Sequence, residues 1–271
     1  MVDHWESHAR QWAHIGPPLR PTTSDVRYVE NAVSSIKGSP HLNATLLGVT
    51  PELAGLRWPP HTMLLGVDRN PAMLRFVWPG KDIAVRSHCV RGEWSALPLR
   101  QGSMNAVVGD GCFTLLVGTE SYRSVSGEIR RVLEPEGQFI MRFFTRPAKH
   151  ESTGVVLDDL RRGRVANFHV FKWRLAMALP QSFETGVAVA DIWEAWHDAE
   201  IDSRLLARDR GWSVESIETI QAYRGSSARY SFPTWGELQE VLSDFFEVSS
   251  THIGDYELAE RCPTIVYVAK T

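Results

Sequence analysis

From Ala44 to Arg146 the sequence alternates short apolar runs with stretches of helical spacing, and this alternation constrains the fold more than any other feature. "ATLLGV", "TMLLGVD", "IAVRSHCVRGE", "MNAVVGDG" and "QFIMRFF" read as strands. "PELAGL", "NPAMLRFVW" and "RSVSGEIRRVL" read as helices between them, the second with Pro71 in its first turn and the third closed by "EPEGQ". Strands joined through helices pair in parallel, because a helical crossover carries the chain back over the sheet in the right-handed sense. The expected architecture is a doubly wound α/β sheet with helices on both faces.

The flanks differ. Residues 1–40 read as two helices around the turn "GPPLRP": Trp5, His8, Trp12 and Ile15 fall on one helical face. Val26, Val29, Val33 and Ile36 fall on another, with Ser24 or a neighbouring Thr as its cap. Residues 147–233 show helix after helix and no convincing strand, which predicts a helical cap inserted into a core formed by 41–146 and 234–271. The last part returns to a helix, "TWGELQEVLSDFF", and two strand-like runs, "EVSSTHI" and "TIVYVAK". Their connection is too short for a helix, so an antiparallel pair is expected at the end of the sheet. The whole chain, 1–271, is read as one domain built of these pieces.

Bulk properties narrow the partners. A net charge of -3 over 271 residues gives no electrostatic reason for nucleic acid or an anionic membrane. No run reaches the roughly 18 apolar residues of a membrane span, and "MVDHWESHARQW" does not resemble a signal peptide. Three widely spaced cysteines, Cys89, Cys112 and Cys262, point to a reducing compartment, so a cytoplasmic location is expected. No His or Cys spacing matches a metal site, and none is expected.

In such sheets ligands bind at the carboxyl ends of the strands. The first end carries Gly48 in "LLGVTPEL", where the absence of a Cβ lets the backbone approach a ligand. The second carries Asp68 in "GVDRNPAM", twenty residues on, where a carboxylate can accept both hydroxyls of a ribose. The third carries Glu93 and Trp94, suited to an adenine amine and an adenine ring. The fourth carries Gly109, Asp110 and Gly111. Each group has an ordinary alternative: a turn glycine, a capping Asp, a solvent-facing Glu beside a core Trp. Their recurrence at four successive strand ends favours a nucleoside. A pyrophosphate, however, needs free N–H groups at the helix start. Pro51 removes one and Glu52 adds negative charge, so a ligand with a positive centre and no phosphate fits better.

With these stretches, and with "GEWSALPLRQGSMNAVVGDGCFTLL", "EIRRVLEPEGQFIMRFF" and "RCPTIVYVAK", the chain resembles the class I S-adenosylmethionine-dependent methyltransferases, in particular small-molecule types with a helical cap. The resemblance implies a Rossmann-like sheet of seven strands in the order 3-2-1-4-5-7-6, with strand seven antiparallel. It implies S-adenosylmethionine as cofactor and Gly48, Val49 and Thr50 as the cofactor loop. Asp68 with Arg69 takes the ribose position, and Met73, Glu93 and Trp94 the adenine positions. Gly109, Asp110 and Gly111 take the segment beside the methionine moiety. The family's acidic residue before the first glycine is missing, since Leu46 and Leu47 stand there, and Thr50 and Glu52 replace later glycines.

The implied function is methyl transfer to a small-molecule acceptor by in-line displacement, which relies on positioning and water exclusion and needs no covalent intermediate. No catalytic residue is legible, and neither the acceptor nor the oligomeric state is. The cap, with His169, Trp173, Trp193, Trp196 and His197, is the expected lid, most of these side chains being packing and a few lining an apolar acceptor pocket. Arg20 either closes over the cofactor carboxylate or fixes its own loop. Two other readings stand beside this one: a non-catalytic relative with a decayed cofactor loop, and a nicotinamide-dependent oxidoreductase.

Overall fold

A computed structural model describes residues 4–36, 41–179 and 181–270; the ends of the expected N-terminal region, residues 1–3 and 37–40, lie outside them. The chain begins with α1 (His4–Arg10), a single 3-10 turn, and α2 (Thr23–Ser35). Thr22 caps α2 in a reciprocal box with Asp25, so the cap is the Thr preceding Ser24's neighbour and not Ser24 itself. Then come β1 (Asn43–Leu47), α3 (Pro51–Ala54), β2 (Met63–Asp68), α4 (Pro71–Phe76), β3 (Arg86–Arg91) and β4 (Met104–Asp110). The core continues with α5 (Gly118–Val132) and β5 (Leu133–Arg142). "EPEGQ", expected as a turn, is instead the irregular start of β5, where the register against β4 shifts.

After β5 the chain runs through α6 (Thr153–Arg161), α7 (Phe168–Ala178), β6 (Val187–Ala188), α8 (Val189–Asp198), α9 (Ser203–Arg210), α10 (Val214–Glu218) and β7 (Arg229–Tyr230). β6 and β7 form a small antiparallel sheet of their own, which corrects the expectation that this region holds no strand. Two residues per strand carry no readable alternation. The stretch read as one helix from Val189 is two, because Glu200 takes a left-handed φ of +51° and Asp202 caps α9. The chain closes with α11 (Trp235–Leu242), β8 (Phe246–His252) and β9 (Thr264–Ala269).

The main sheet has seven strands in the order β3-β2-β1-β4-β5-β9-β8, with β9 antiparallel to both neighbours. This is the expected order, the last strand of the chain being inserted beside the fifth. Alternation along the strands feeds two faces. Leu47, Val107, Phe139 and Met141 pack with Tyr122, Val125 and Ile129 of α5 and Leu238 of α11. Leu46, Val108, Ile140 and Val266 pack on the other face with Val29 and Val33 of α2 and Leu53 of α3. A third cluster, built around α7 and α8, unites the segment after β5. Every residue of α7 is buried, so this helix is the axis of that region. A fourth, small cluster joins Ala9 of α1 to Val49, Met73 and Val77, laying the first helix across the strand ends. Among the described residues no helix is long and apolar enough to cross a membrane.

Candidate functional site

Strand pairing brings the carboxyl ends of β1 to β4 to one edge of the sheet. Leu47 lies opposite both Val67 and Gly109, and Asp68 opposite Arg91. The connections that leave these ends wall a cavity of about 550 Å³, within the roughly 300–1,000 Å³ of small-molecule sites. A smaller cavity of about 100 Å³ adjoins it and shares Trp5, Asp68, Met73, Trp94 and Leu115 as walls.

Gly48 makes the turn out of β1 with a φ of +81°, and its N–H donates to the Val67 carbonyl at 2.9 Å. A Cβ there would meet its neighbours only at ordinary contact distance, so the backbone angle, not space, requires glycine. Gly48, Val49 and Thr50 line the smaller cavity. α3 then starts at Pro51 and lasts four residues.

Asp68 is 8% exposed and lines both cavities. Its Oδ1 accepts the Asn70 N–H at 2.7 Å, and Asn70 in turn caps α4. Burial pushes the Asp68 carboxyl up to about 6, with Glu93 adding to the rise and the Asn70 hydrogen bond and Arg69 charge opposing it. No cation is bound to it directly. Arg69, Met73, Glu93 and Trp94 all line the larger cavity. The Trp94 indole is anchored by its Nε1–H, which donates to the Val67 carbonyl at 2.8 Å.

The fourth strand end divides. Gly109 does not line either cavity: a Cβ there would run into the Met141 side chain, so it serves sheet packing. Asp110 and Gly111 line the smaller cavity. Gly111 has a φ of +65°, and a side chain there would strike the ring of Phe144. Asp110 lies directly opposite Arg142 in the β4–β5 register, and the two form a buried ion pair at 2.6 Å. Burial pushes the Asp110 carboxyl up while Arg142 pulls it back; the guanidinium is held charged by Asp110 against the same burial. Arg142 also donates to the Pro18 carbonyl at 2.8 Å and to the Tyr256 hydroxyl at 3.0 Å, tying the N-terminal segment to the sheet.

The sequence placed Trp5, His8 and Trp12 on one helical face without marking them as site residues. The structure places all three on the cavity walls, since the apolar face of α1 that the spacing revealed is laid over α4 and the strand ends. The sequence also left Leu115 and Phe144 unmarked, for which no local signal exists. Of the aromatics between β5 and α11, Trp173 lines the smaller cavity, Trp196 lies in the cluster around α7 and α8, and Trp193 stacks on His197 with ring centroids 4.8 Å apart. Arg20 is bound to Glu52 at 2.6 Å and to the carbonyls of Trp12 and Ile15, so it fixes its own loop. Among the described residues no group of three His, Cys, Asp or Glu is gathered as a metal site requires.

Residues 49–141 match the family model of a methyltransferase domain. The chain thus matches a methyltransferase domain over about a third of its length, within a sheet of class I strand order. No curated protein matches it in sequence. Among solved structures, the CcbJ methyltransferase of Streptomyces caelestis is similar with a TM-score of 0.57 at 14% identity, covering 99% of this chain and 98% of that one. A structure from Rhodobacter sphaeroides described as a putative zinc-dependent alcohol dehydrogenase gives 0.54 at 12% identity over the full length of both chains. A putative methyltransferase in complex with the Trm112 activator from Haloferax volcanii gives 0.52 at 13%, again over both full chains. At these identities the likeness is one of fold.

The fold keeps two of the three thiols out of reach. The Cys112 thiol donates to the Leu47 carbonyl at 2.9 Å, and burial pushes its pKa upward. Cys262 is pushed up to about 12 by burial, and only Cys89 is partly exposed. Brief treatment of the folded protein with iodoacetamide is therefore expected to alkylate Cys89 first, with Cys112 and Cys262 reacting only after denaturation. Peptide mass spectrometry reads this directly. Early modification of Cys112 would mean that the smaller cavity opens to the reagent.

Proposed function

We propose that this protein is an S-adenosylmethionine-dependent methyltransferase acting on a small-molecule acceptor, with the cofactor in the larger cavity and its methionine end reaching toward Gly48 and Asp110. The observation that carries the reading is Asp68. A buried carboxylate that has no ion pair among the described residues faces a cavity edged by Met73, Glu93 and Trp94. A carboxylate at this strand end can accept both hydroxyls of a ribose.

The residues fit this cofactor better than a dinucleotide. Arg20 neutralises Glu52, so the charge of Glu52 is not what excludes a pyrophosphate. Pro51 and the four-residue length of α3 do so: the helix start offers few free N–H groups and almost no dipole. S-adenosylmethionine, when bound, supplies an electrophilic methyl group on a sulfonium. The protein's part is to hold and to exclude. Asp68 grips the sugar, and Trp94 and Met73 bound the base. Trp5 and Trp12 of the N-terminal segment, with Phe144 and Trp173, keep water from the smaller cavity. No side chain is required as a nucleophile.

Isothermal titration with S-adenosylhomocysteine is expected to give saturable one-to-one heat, and NADH none. The reverse result would favour the oxidoreductase. Absence of heat with either nucleoside would favour the decayed-site relative, for which the altered "GVTPE" loop is the motivating feature.

A further inference from the structure

The smaller cavity has a chemical character of its own. Besides Trp5, His8 and Trp12, its walls away from the strand tips include Leu19, Thr114, Phe144, Trp173, Tyr223 and Tyr230. The rings meet edge to face, Phe144 with Trp173 at 5.1 Å and Trp173 with Tyr230 at 5.4 Å between centroids, so this side of the cavity is edged by aromatic surface. Three donors of the lining have no hydrogen-bond partner among the described residues, Trp12 Nε1, Trp173 Nε1 and Thr114 Oγ1, and of these Trp173 and Thr114 are on residues only 4% and 3% exposed. A buried indole N–H and a buried hydroxyl normally have partners, so an acceptor atom is missing here.

Behind the tyrosines stands a charge. Lys172 is fully buried, its Nζ donates to Thr219 Oγ1 at 3.0 Å and lies 4.9 Å from the centroid of the Tyr223 ring. Among the described residues no carboxylate pairs with it. Arg142 is paired with Asp110, and Arg174 with Glu151 and Asp159, so the other deeply buried cations are compensated. Burial alone pushes the Lys172 amine down to about 7. The titratable neighbours offer no compensation: His169 is pushed to about 3 by burial and by Lys172, and Tyr223 and Tyr230 are pushed upward by burial. Of the acids on the cavity wall, Asp110 is committed to Arg142 and Asp68 sits at the junction with the larger cavity.

We propose that the smaller cavity binds a planar aromatic hydroxyl compound, a phenol or its enol equivalent, as the oxyanion, with Trp173 Nε1 and Thr114 Oγ1 donating to the oxygen and Lys172 supplying the balancing charge. The hydroxyl proton is left in solvent when the anion enters. This rests on the reading above in one respect, that the nucleoside fills the larger cavity and the methionine end touches the smaller one only on its Gly48 and Asp110 side, leaving the aromatic side to the acceptor. It goes further by naming the acceptor class and the atom presented.

para-Nitrophenol tests it without turnover, because its anion is coloured and its neutral form is not. Below the titration point of the free phenol, adding protein is expected to raise the anion band saturably, with and without S-adenosylhomocysteine. Lys172→Met keeps the volume and removes a lone buried charge, so it should fold at least as well as the parent. It is expected to lose the colour change. Trp173→Phe keeps the ring packing and removes the donor, and is expected to weaken association roughly 10-fold or more, as loss of a hydrogen bond to a charged group does. Binding seen as quenched tryptophan fluorescence without colour, or full colour with Lys172→Met, would overturn the proposal. If the anion band rises although S-adenosylhomocysteine does not bind, the cofactor reading fails and the pocket assignment stands. If S-adenosylhomocysteine binds and the band never rises, the pocket assignment fails alone.

Discussion

Asp68→Asn is expected to stabilise the ligand-free protein and to cripple cofactor binding at once. The carboxyl titrates near 6 in the folded chain against 3.8 for the free group. At about 1.4 kcal/mol per unit, keeping it ionised costs the fold on the order of 3 kcal/mol at neutral pH. For a raised carboxyl the folded state holds its proton longer than the unfolded one. The stability of the parent therefore falls as pH rises from about 4 to about 6 and is level above that. The amide has no such titration, and its oxygen can still accept the Asn70 N–H that Oδ1 accepts now. The parent and variant stability curves should diverge across that window and run parallel above it, as read by urea unfolding at a series of pH values. Affinity for S-adenosylhomocysteine should meanwhile drop by roughly 10- to 150-fold, the loss of hydrogen bonds to a charged acceptor. Curves that superimpose would show that Asp68 is not held against its burial; unchanged affinity would remove the ribose assignment.

Arg142→Met is expected to be among the most damaging single substitutions in the molecule. It leaves the Asp110 carboxylate buried without its ion-pair partner and strips the Pro18 carbonyl and Tyr256 hydroxyl of a donor. Removing one partner of a buried pair costs about 3–5 kcal/mol, whereas replacing both by uncharged groups is often nearly neutral. The double variant Asp110→Asn with Arg142→Met should thus recover much of the loss, and urea unfolding of the four proteins gives the coupling. A single-variant loss no larger than that of a surface substitution would mean the pair is solvated. Because Arg142 holds the segment carrying Pro18, the damaged variant should also bind cofactor poorly even where it remains folded.

Much of the core was legible because its signals are local. The apolar period of β1, β2 and β4, the Asn-Pro start of α4 and the positive-φ glycines at Gly48 and Gly111 are properties of a few neighbouring residues. The short final connection was enough to place an antiparallel pair at the sheet end. The candidate site followed the same logic: residues at strand ends reach one edge whenever the strands are parallel and in register. Gly109 shows the limit. It stands in the right segment, but the strand's alternation turns it toward Met141 and away from the cavity.

By itself the sequence determined the layered architecture, the strand order's antiparallel member and the nucleoside-compatible groups at four strand tips, since periodicity and backbone preference act over a few residues. Only the tertiary structure decided which charges are compensated. Asp110 and Arg142 meet because the β4–β5 register sets them opposite each other across 32 residues, and on α7 Arg174 reaches Glu151 and Asp159 while Lys172 meets no acid among the described residues. The helix bearing Trp5 and His8 became a wall of the site for the same reason. Pairing and burial are decided by packing between distant segments, and no local pattern encodes which partner a buried charge will find.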